Sequence, residues 1–366
     1  IVVSCQDVAD IYPALERLKL RPPLIEHGGL VREALSGPKH FTTRYVGVCD
    51  SIRAAAAGRM ADRPQHALEI PSMVDLAEFD PAARAPMRAA LGVAEGELLI
   101  GWVGRLDRKK RVEDFLAAAM RVAASHPQAR FVVIGGPDAF MPEYADELRR
   151  MAAPLGDRII FTGDRKDVPE LLAAMDVFCW LSRGEGMPHV IAEAGAAALP
   201  VIATPDNGAL QQIRDGVSGL FVPHEDPAAV AATMRRLIDE PALRHGLGSA
   251  LQAHVRATYS AAVVVPQWQA LIDTVLADTV IVDEIHDYKN LATVSRIRDA
   301  NITGSARATD LAVKLDHLRR THGDRVITGA TATPIANSIT EAHVMQRLLR
   351  PDLLRAAGVE SFDAWA

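Results

Sequence analysis

Three groups of residues have types and spacings suited to chemistry. The first is a pair of carboxylates, Glu185 and Glu193, set eight positions apart around the loop RGEGMP. An apolar run, DVFCWLS, stops at Ser182 just before this loop, and a helix-periodic stretch starts near Pro188. Proline suits the first turn of a helix, and Gly184 and Gly186 let the backbone approach a ligand closely. Glu185 then stands on the loop and Glu193 in the helix, with both carboxylates able to reach one cleft and accept hydrogen bonds from hydroxyl groups such as those of a sugar. The blander reading is two solvated glutamates around a tight turn. The second group is basic. In GWVGRLDRKKR (101–111), Arg105 and Lys110 follow a strand-like run and precede a helix starting near Val112, and a helix N-terminus favours anions. Taken alone, this stretch reads more readily as a turn with solvated basic residues. The third group lies in DTVIVDEIHDYKN (278–290), where an apolar run ends in Asp283, Glu284 and, after one residue, His286. An aspartate at a strand end holds Mg²⁺ and a neighbouring glutamate orients an attacking water, which is the chemistry of phosphoanhydride hydrolysis. Its blander alternative is a helix–strand extension with accidental acidic residues.

The elements that must position these groups alternate. From Glu97 to about Thr204 the apolar runs LLIGWVG, RFVVIGG, RIIFTG, DVFCWLS and PVIAT are separated by amphipathic stretches such as RVEDFLAAAMRVAASHP, and GLFVP follows at 219–223. Strands alternating with helices imply βαβ units and a parallel sheet covered on both faces. Helical patterns then run from about Asp226 to Ala277. Residues 1–75 repeat the alternation more weakly in IVVSC, PPLIEHG, RYVGVC and HALEIPS, too few strands for a complete doubly wound domain. SMVDLAEFDPAARAP, punctuated by Pro81 and Pro86, reads as an interdomain linker. Beyond Ala277 come a strand TVIVDE, a helix SARATDLAVKLDHLRRTHG, a strand RVITGATAT and a helix SITEAHVMQRLL.

The 366 residues suit two or three domains, and a net charge of −6 leaves no overall basic field for nucleic acid. Cys5, Cys49 and Cys179 are too widely spaced for a zinc site or a disulfide framework, so a reducing cytoplasm is the expected location. No apolar run approaches the ~20 residues of a membrane span. The chain opens on Ile1 and closes on SFDAWA without a helix stop, and both ends are expected to be truncated.

Residues 1–277 resemble a family-four glycosyltransferase of the GT-B architecture. The elements that carry the resemblance occur in the family's order: ALEIPSMVDLAEFDP, GWVGRLDRKKRVEDF, FVVIGG, IIFTGDRKDVPELLAAMDVF, SRGEGMPHVIAEAGAAALPVIAT and GVSGLFVP. The resemblance implies an α/β fold of two facing Rossmann-like parallel-sheet domains, the first one incomplete. It also implies retaining transfer of a sugar from a nucleotide-sugar donor to an acceptor that the residues do not identify. By matched position Arg105 and Lys110 would hold the donor diphosphate and Glu193 the ribose. Glu185 and the backbone of Gly186, Met187 and Pro188 would hold the donor sugar. His27, in PPLIEHGG, matches the family's active-site histidine near the acceptor, and reads equally as a loop histidine at a strand end. No cofactor or structural metal is implied, and no Asp-x-Asp stands at a matching strand end. Two departures stand out: Ser72-Met73 replaces the usual Asn-Gly of the Ile-Pro-Asn-Gly-Val-Asp stretch, so that turn must differ, and Arg111 stands where a glycine usually follows the lysine. The family's glycine-rich loop from the first half of the acceptor domain is absent.

Residues 278–366 resemble a Swi/Snf-type superfamily-two motor lobe. Asp283 to Asn290 follow the Asp-Glu-x-His-x-x-Lys-Asn form, and ITGATATPIANS, with Thr331, resembles the family's coupling motif. The chain has no Gly-x4-Gly-Lys-[Ser/Thr] phosphate loop, and this stretch balances 11 Lys and Arg against 12 Asp and Glu. The expected organisation is a partial acceptor-side domain (1–80), a nucleotide-sugar-binding domain (81–277) and a partial RecA-like α/β fragment (278–366), joined as a natural fusion or a chimera near Ala277–Asp278. The alternative functions are a nucleic-acid-dependent ATPase, with Mg²⁺ on Asp283 were the lobe complete, and an interaction module with vestigial clefts.

Overall fold

The structure, a computed structural model, describes residues 2–5, 11–18, 21–277, 280–283, 327–330 and 339–366, together with 308, 311, 312, 315, 316, 319 and 320. By its contacts the chain divides into two compact units, Val2–Trp268 and Gln269–Ala366.

The first unit begins with β1 (Val2–Cys5), α1 (Tyr12–Arg17), β2 (Leu24–Gly28), α2 (Val31–Leu35), β3 (Thr42–Gly47), α3 (Asp50–Arg59) and β4 (Ala67–Glu69). The strands form a parallel sheet in the order β1-β2-β3-β4. Its interior holds a buried ion pair. The Glu26 carboxylate, fully shielded from solvent, accepts from Lys39 Nζ at 2.7 Å and from the Thr42 hydroxyl. The Tyr12 hydroxyl lies 2.8 Å from Thr42 Oγ1. A charge so placed is tolerated only because a partner and hydrogen bonds replace the lost water.

Next come α4 (Arg84–Ala90), β5 (Leu98–Val103), α5 (Val112–Ala123), β6 (Ala129–Ile134), α6 (Pro142–Ala152), β7 (Ile159–Gly163), α7 (Val168–Ala174) and β8 (Val177–Trp180). They are followed by α8 (His189–Ala196), β9 (Val201–Ala203), α9 (Asn207–Gln212), β10 (Leu220–Phe221), α10 (Pro227–Asp239), α11 (Pro241–Thr258) and α12 (Ala261–Ala277). The six strands form a second parallel sheet in the order β10-β9-β8-β5-β6-β7. Successive strand residues face opposite sides, and both sides are apolar. Leu99, Val132, Phe178 and Val201 join one core with Leu171, Ile191, Leu251 and Val255 of α7, α8 and α11. Ile100, Phe131, Val133, Cys179 and Ile202 join the other with Phe115, Tyr144, Leu148 and Met234 of α5, α6 and α10. This two-faced burial is why the strands read as near-continuous apolar runs.

The stretch read as a linker contains structure. Asp75 and Asp80 each cap a short 3₁₀ turn, and α4 follows. Ser72 and Met73 adopt no left-handed conformation. Arg84 Nη2 and Arg88 Nη1 reach Asp176 at 2.6 and 3.0 Å, and Asp176 also accepts from Leu99 N at 2.8 Å, which fixes α4 to the second sheet. The chain returns to the first sheet's side near Val74, whose backbone bonds to Tyr259 and Ala261. Trp268 of α12 then packs edge-on against His27, ring centroids 5.5 Å apart. Gln211 also links the two sheets' surroundings: its Oε1 accepts from Asp50 N at 3.1 Å, and its amide donates to Glu69.

In the second unit β11 (Val280–Asp283) and β12 (Ile327–Ala330) pair in parallel, Asp283 opposite Ala330. Three helices follow, α13 (Ile339–Leu349), α14 (Pro351–Ala357) and α15 (Phe362–Trp365). The buried His343 of α13 packs on Phe362 and Trp365. Among the described residues no helix is long and apolar enough to cross a membrane.

Candidate functional site

The C-terminal ends of the second sheet carry the loops that the sequence singled out. β5 leads into the basic loop and β8 into RGEGMP, and the two strands are neighbours in the sheet. Side by side at strand ends, the loops meet: Arg183 N donates to Lys109 O at 2.9 Å. That bond sets the next residues of both loops against each other, and Lys110 Nζ lies 2.7 Å from Glu185 Oε1. Asp206, which caps α9, accepts from Glu185 N at 3.1 Å and holds the second loop from the other side. Lys110 and Glu185 are both only partly exposed.

Arg105 is turned elsewhere. Its Nε meets Asp138 Oδ2 at 2.7 Å, and its guanidinium also approaches Asp107, while the side chain stays 61% exposed. Arg111 adopts φ 55 and ψ 44 at the start of α5. This is the left-handed region that glycine enters freely. The backbone therefore keeps the conformation that a glycine would supply, and the arginine is held there by a fork onto Asp114 at 2.8 and 2.9 Å.

Gly186, Met187 and Pro188 are buried. A Cβ on Gly186 would stand 1.8 Å from the carbonyl oxygen of Gly29, in the loop after β2. Only glycine lets these two loops approach so closely. His27, one residue before the end of β2, is half-buried, with its imidazole pKa lowered first by burial and further by the nearby His189, against an opposing pull from Glu33. The lowered pKa keeps it neutral and able to accept a proton near pH 7.

Glu193 opens into a cavity of about 450 Å³ shared with Glu78 and Lys166. Burial raises its carboxyl pKa, with a smaller contribution from the negative charge of Glu78. Of the residues singled out, then, Lys110 and Glu185 form a direct pair, Gly186 abuts the loop that follows His27, and Glu193 and Arg105 each have surroundings of their own. Sequence reasoning missed Glu78, Lys166, Asp138 and Asp206. In the second unit Asp283 ends β11, and Glu284, His286 and Thr331 lie outside the described residues. Among the described residues no three His, Cys, Asp or Glu side chains are grouped to hold a metal ion.

Residues 97–240 match the family model described as glycosyl transferases group 1, and residues 267–366 match that of a probable helicase domain. The D-inositol 3-phosphate glycosyltransferase of Geodermatophilus obscurus is 33% identical over 222 residues, 58% of this chain and 47% of that one. The GDP-mannose-dependent monoacylated alpha-(1-6)-phosphatidylinositol monomannoside mannosyltransferase of Corynebacterium glutamicum is 30% identical over 203 residues, 52% of each chain. The chain thus spans about half the length of the curated relatives it matches. Among solved structures, Anabaena HepE in complex with UDP and glucose superposes with a TM-score of 0.62 at 22% identity, covering 69% of this chain and 72% of that one. Sucrose-phosphate synthase of Thermosynechococcus elongatus does so with a TM-score of 0.60 at 23% identity, covering 76% and 74%. The fold of the first unit is the GT-B fold, and its second sheet carries the sequence features of the group 1 glycosyl transferases.

Proposed function

We propose that the first unit is a retaining glycosyltransferase body that takes a sugar from a nucleotide-sugar donor and delivers it to an acceptor hydroxyl. The observation that carries this reading is the Lys110–Glu185 pair, 2.7 Å apart at adjacent strand ends beside the N-terminus of α5. Strand ends and helix N-termini of this kind attract phosphate. Lys110, joined by Arg105, exchanges its carboxylate partner for the donor diphosphate. It then stabilises the charge that develops on the diphosphate as the bond from the anomeric carbon to the phosphate oxygen breaks. The acceptor oxygen forms its bond to that carbon on the same face. Glu185, released from Lys110, accepts hydrogen bonds from the sugar hydroxyls alongside the backbone of Gly186, Met187 and Pro188. Glu193 takes the ribose hydroxyls. His27 receives the acceptor's proton. No cofactor or metal enters this scheme, and we place the activity in the cytoplasm, where the exposed Cys5 thiol stays reduced.

The test is release of nucleoside diphosphate from a panel of nucleotide sugars. Slow release by the parent, lost in Lys110→Ala and reduced in His27→Ala, supports the reading. Release that is the same in parent and both variants sinks it.

We further infer that residues 278–366 derive from a Swi/Snf-type motor lobe, on the strength of the probable-helicase match and the parallel pairing of β11 with β12. The sequence holds no Gly-x4-Gly-Lys-[Ser/Thr] phosphate loop, whose lysine would meet a nucleotide's phosphates. The protein is expected to hydrolyse no ATP. Hydrolysis that disappears in Glu284→Gln would show a working motor instead.

A further inference from the structure

The cavity at Glu193 has a composition that the sugar and diphosphate do not require. Phe79, Val168 and Pro169 give it apolar walls, and Glu78, Glu193 and Lys166 give it polar groups. Elsewhere in the site the charged side chains are already paired, Lys110 with Glu185 and Arg105 with Asp138. Among the described residues, neither Glu78, Glu193 nor Lys166 hydrogen-bonds or ion-pairs to another side chain. Asp75, on the same wall, differs in that its carboxylate caps Ala77 N at 2.9 Å. Three uncommitted polar groups around an apolar slot describe a site for a flat, polar-edged ring.

Accepting the donor reading above, on which this inference rests, we propose that the cavity holds the donor's base and selects guanine, with Glu78 facing the base edge, Lys166 its carbonyl and Glu193 the ribose. The selection follows from the pattern of donors and acceptors. Guanine places two N–H donors, N1–H and the 2-amino group, side by side, next to the O6 acceptor. A carboxylate takes both donors at once, in the strong charge-assisted geometry, and an ammonium suits O6. Uracil has a single N–H between two carbonyl oxygens, so a carboxylate facing that edge gains one hydrogen bond and meets two repulsive acceptors. Adenine offers one amino donor beside a ring acceptor, an intermediate case. The apolar walls stack on any base and contribute little to the choice. Losing one charge-assisted hydrogen bond costs about tenfold in affinity.

Calorimetric titration with GDP, ADP and UDP tests this. The expected result is that GDP binds at least about tenfold more tightly than UDP, with ADP between them. Glu78→Gln should erase most of that preference, weakening GDP and, by removing the repulsion from uracil's carbonyl oxygens, strengthening UDP, and Lys166→Ala should weaken GDP more than UDP. Both side chains are exposed, so neither substitution disturbs the core. UDP binding as tightly as GDP, or a preference that survives both substitutions, overturns the selectivity and leaves the donor site standing. If none of the three nucleotides binds, the donor reading falls and the selectivity falls with it.

Discussion

Alanine at Gly186 tests whether the two loops meet as described. An ideal Cβ there would lie 1.8 Å from the Gly29 carbonyl oxygen, 2.9 Å from its carbon and 3.1 Å from Ile52 Cδ1. Real Cβ contacts stay beyond 3.0 Å, so the loops must separate by 1.2 Å, the difference between 3.0 and 1.8 Å. The obstructing atoms are backbone, which cannot rotate away as a side-chain tip can. Overpacking of this kind costs about 1–3 kcal/mol, which for a unit of this size lowers the melting temperature by roughly 2–12 °C. Gly29→Ala is the matched control. Its Cβ would meet nothing nearer than Glu33 Oε2 at 3.8 Å, an ordinary contact. Differential scanning calorimetry of the parent and both variants reads the effect. Gly186→Ala should melt several degrees lower and Gly29→Ala within about a degree of the parent. If Gly186→Ala melts with the parent, the loops are not in contact and the cleft described here is wrong.

Two further outcomes follow from buried groups. Lys39→Met leaves the Glu26 carboxylate enclosed with only hydroxyl partners and should cost about 3–5 kcal/mol in urea unfolding, most of it recovered in the Glu26→Gln/Lys39→Met double variant; a loss under about 1 kcal/mol would mean that water reaches the pair. His27 has its pKa lowered from 6.5 in the folded state, so below pH 6.5 the unfolded chain binds a proton that the folded chain declines, and stability contributed by the neutral ring is lost as pH falls into that window and is level above it. His27→Gln should therefore narrow the gap between urea midpoints at pH 5.5 and 7.5, and an unchanged gap would show that His27 is not the group responsible.

The second sheet was legible because its chemistry is monotonous. Leu99 and Ile100, or Phe178 and Cys179, point to opposite faces and are buried on both, so each strand appears in the sequence as an unbroken apolar run between helix-periodic stretches. The first sheet has fewer strands and a charged residue, Glu26, at its centre, which blurs the same signal. Arg105, Lys110, Glu185 and Glu193 could be picked out by type and spacing, but their partners could not. The Lys110–Glu185 contact depends on the bond from Arg183 N to Lys109 O, a tertiary event between loops that are distant in sequence. Arg111 shows the limit from the other side: nothing in an arginine's type announces the left-handed backbone conformation that it adopts. Glu78 sits in a stretch whose prolines signal only a linker, and nothing in its neighbours' types announces a cavity. Asp176, which joins Arg84 and Arg88 to the second sheet, looks in sequence like the polar residue before a strand.

The claim that the strand ends of the second sheet form a nucleotide-sugar site is tested most directly by calorimetric titration of the intact chain with a panel of nucleotide sugars, repeated for Lys110→Ala and Glu193→Ala. At least one donor should bind the parent, and each substitution should weaken it by about tenfold or more, the worth of one charge-assisted hydrogen bond. Affinities that are the same in the parent and both variants, or a parent that binds no donor at all, would contradict the account.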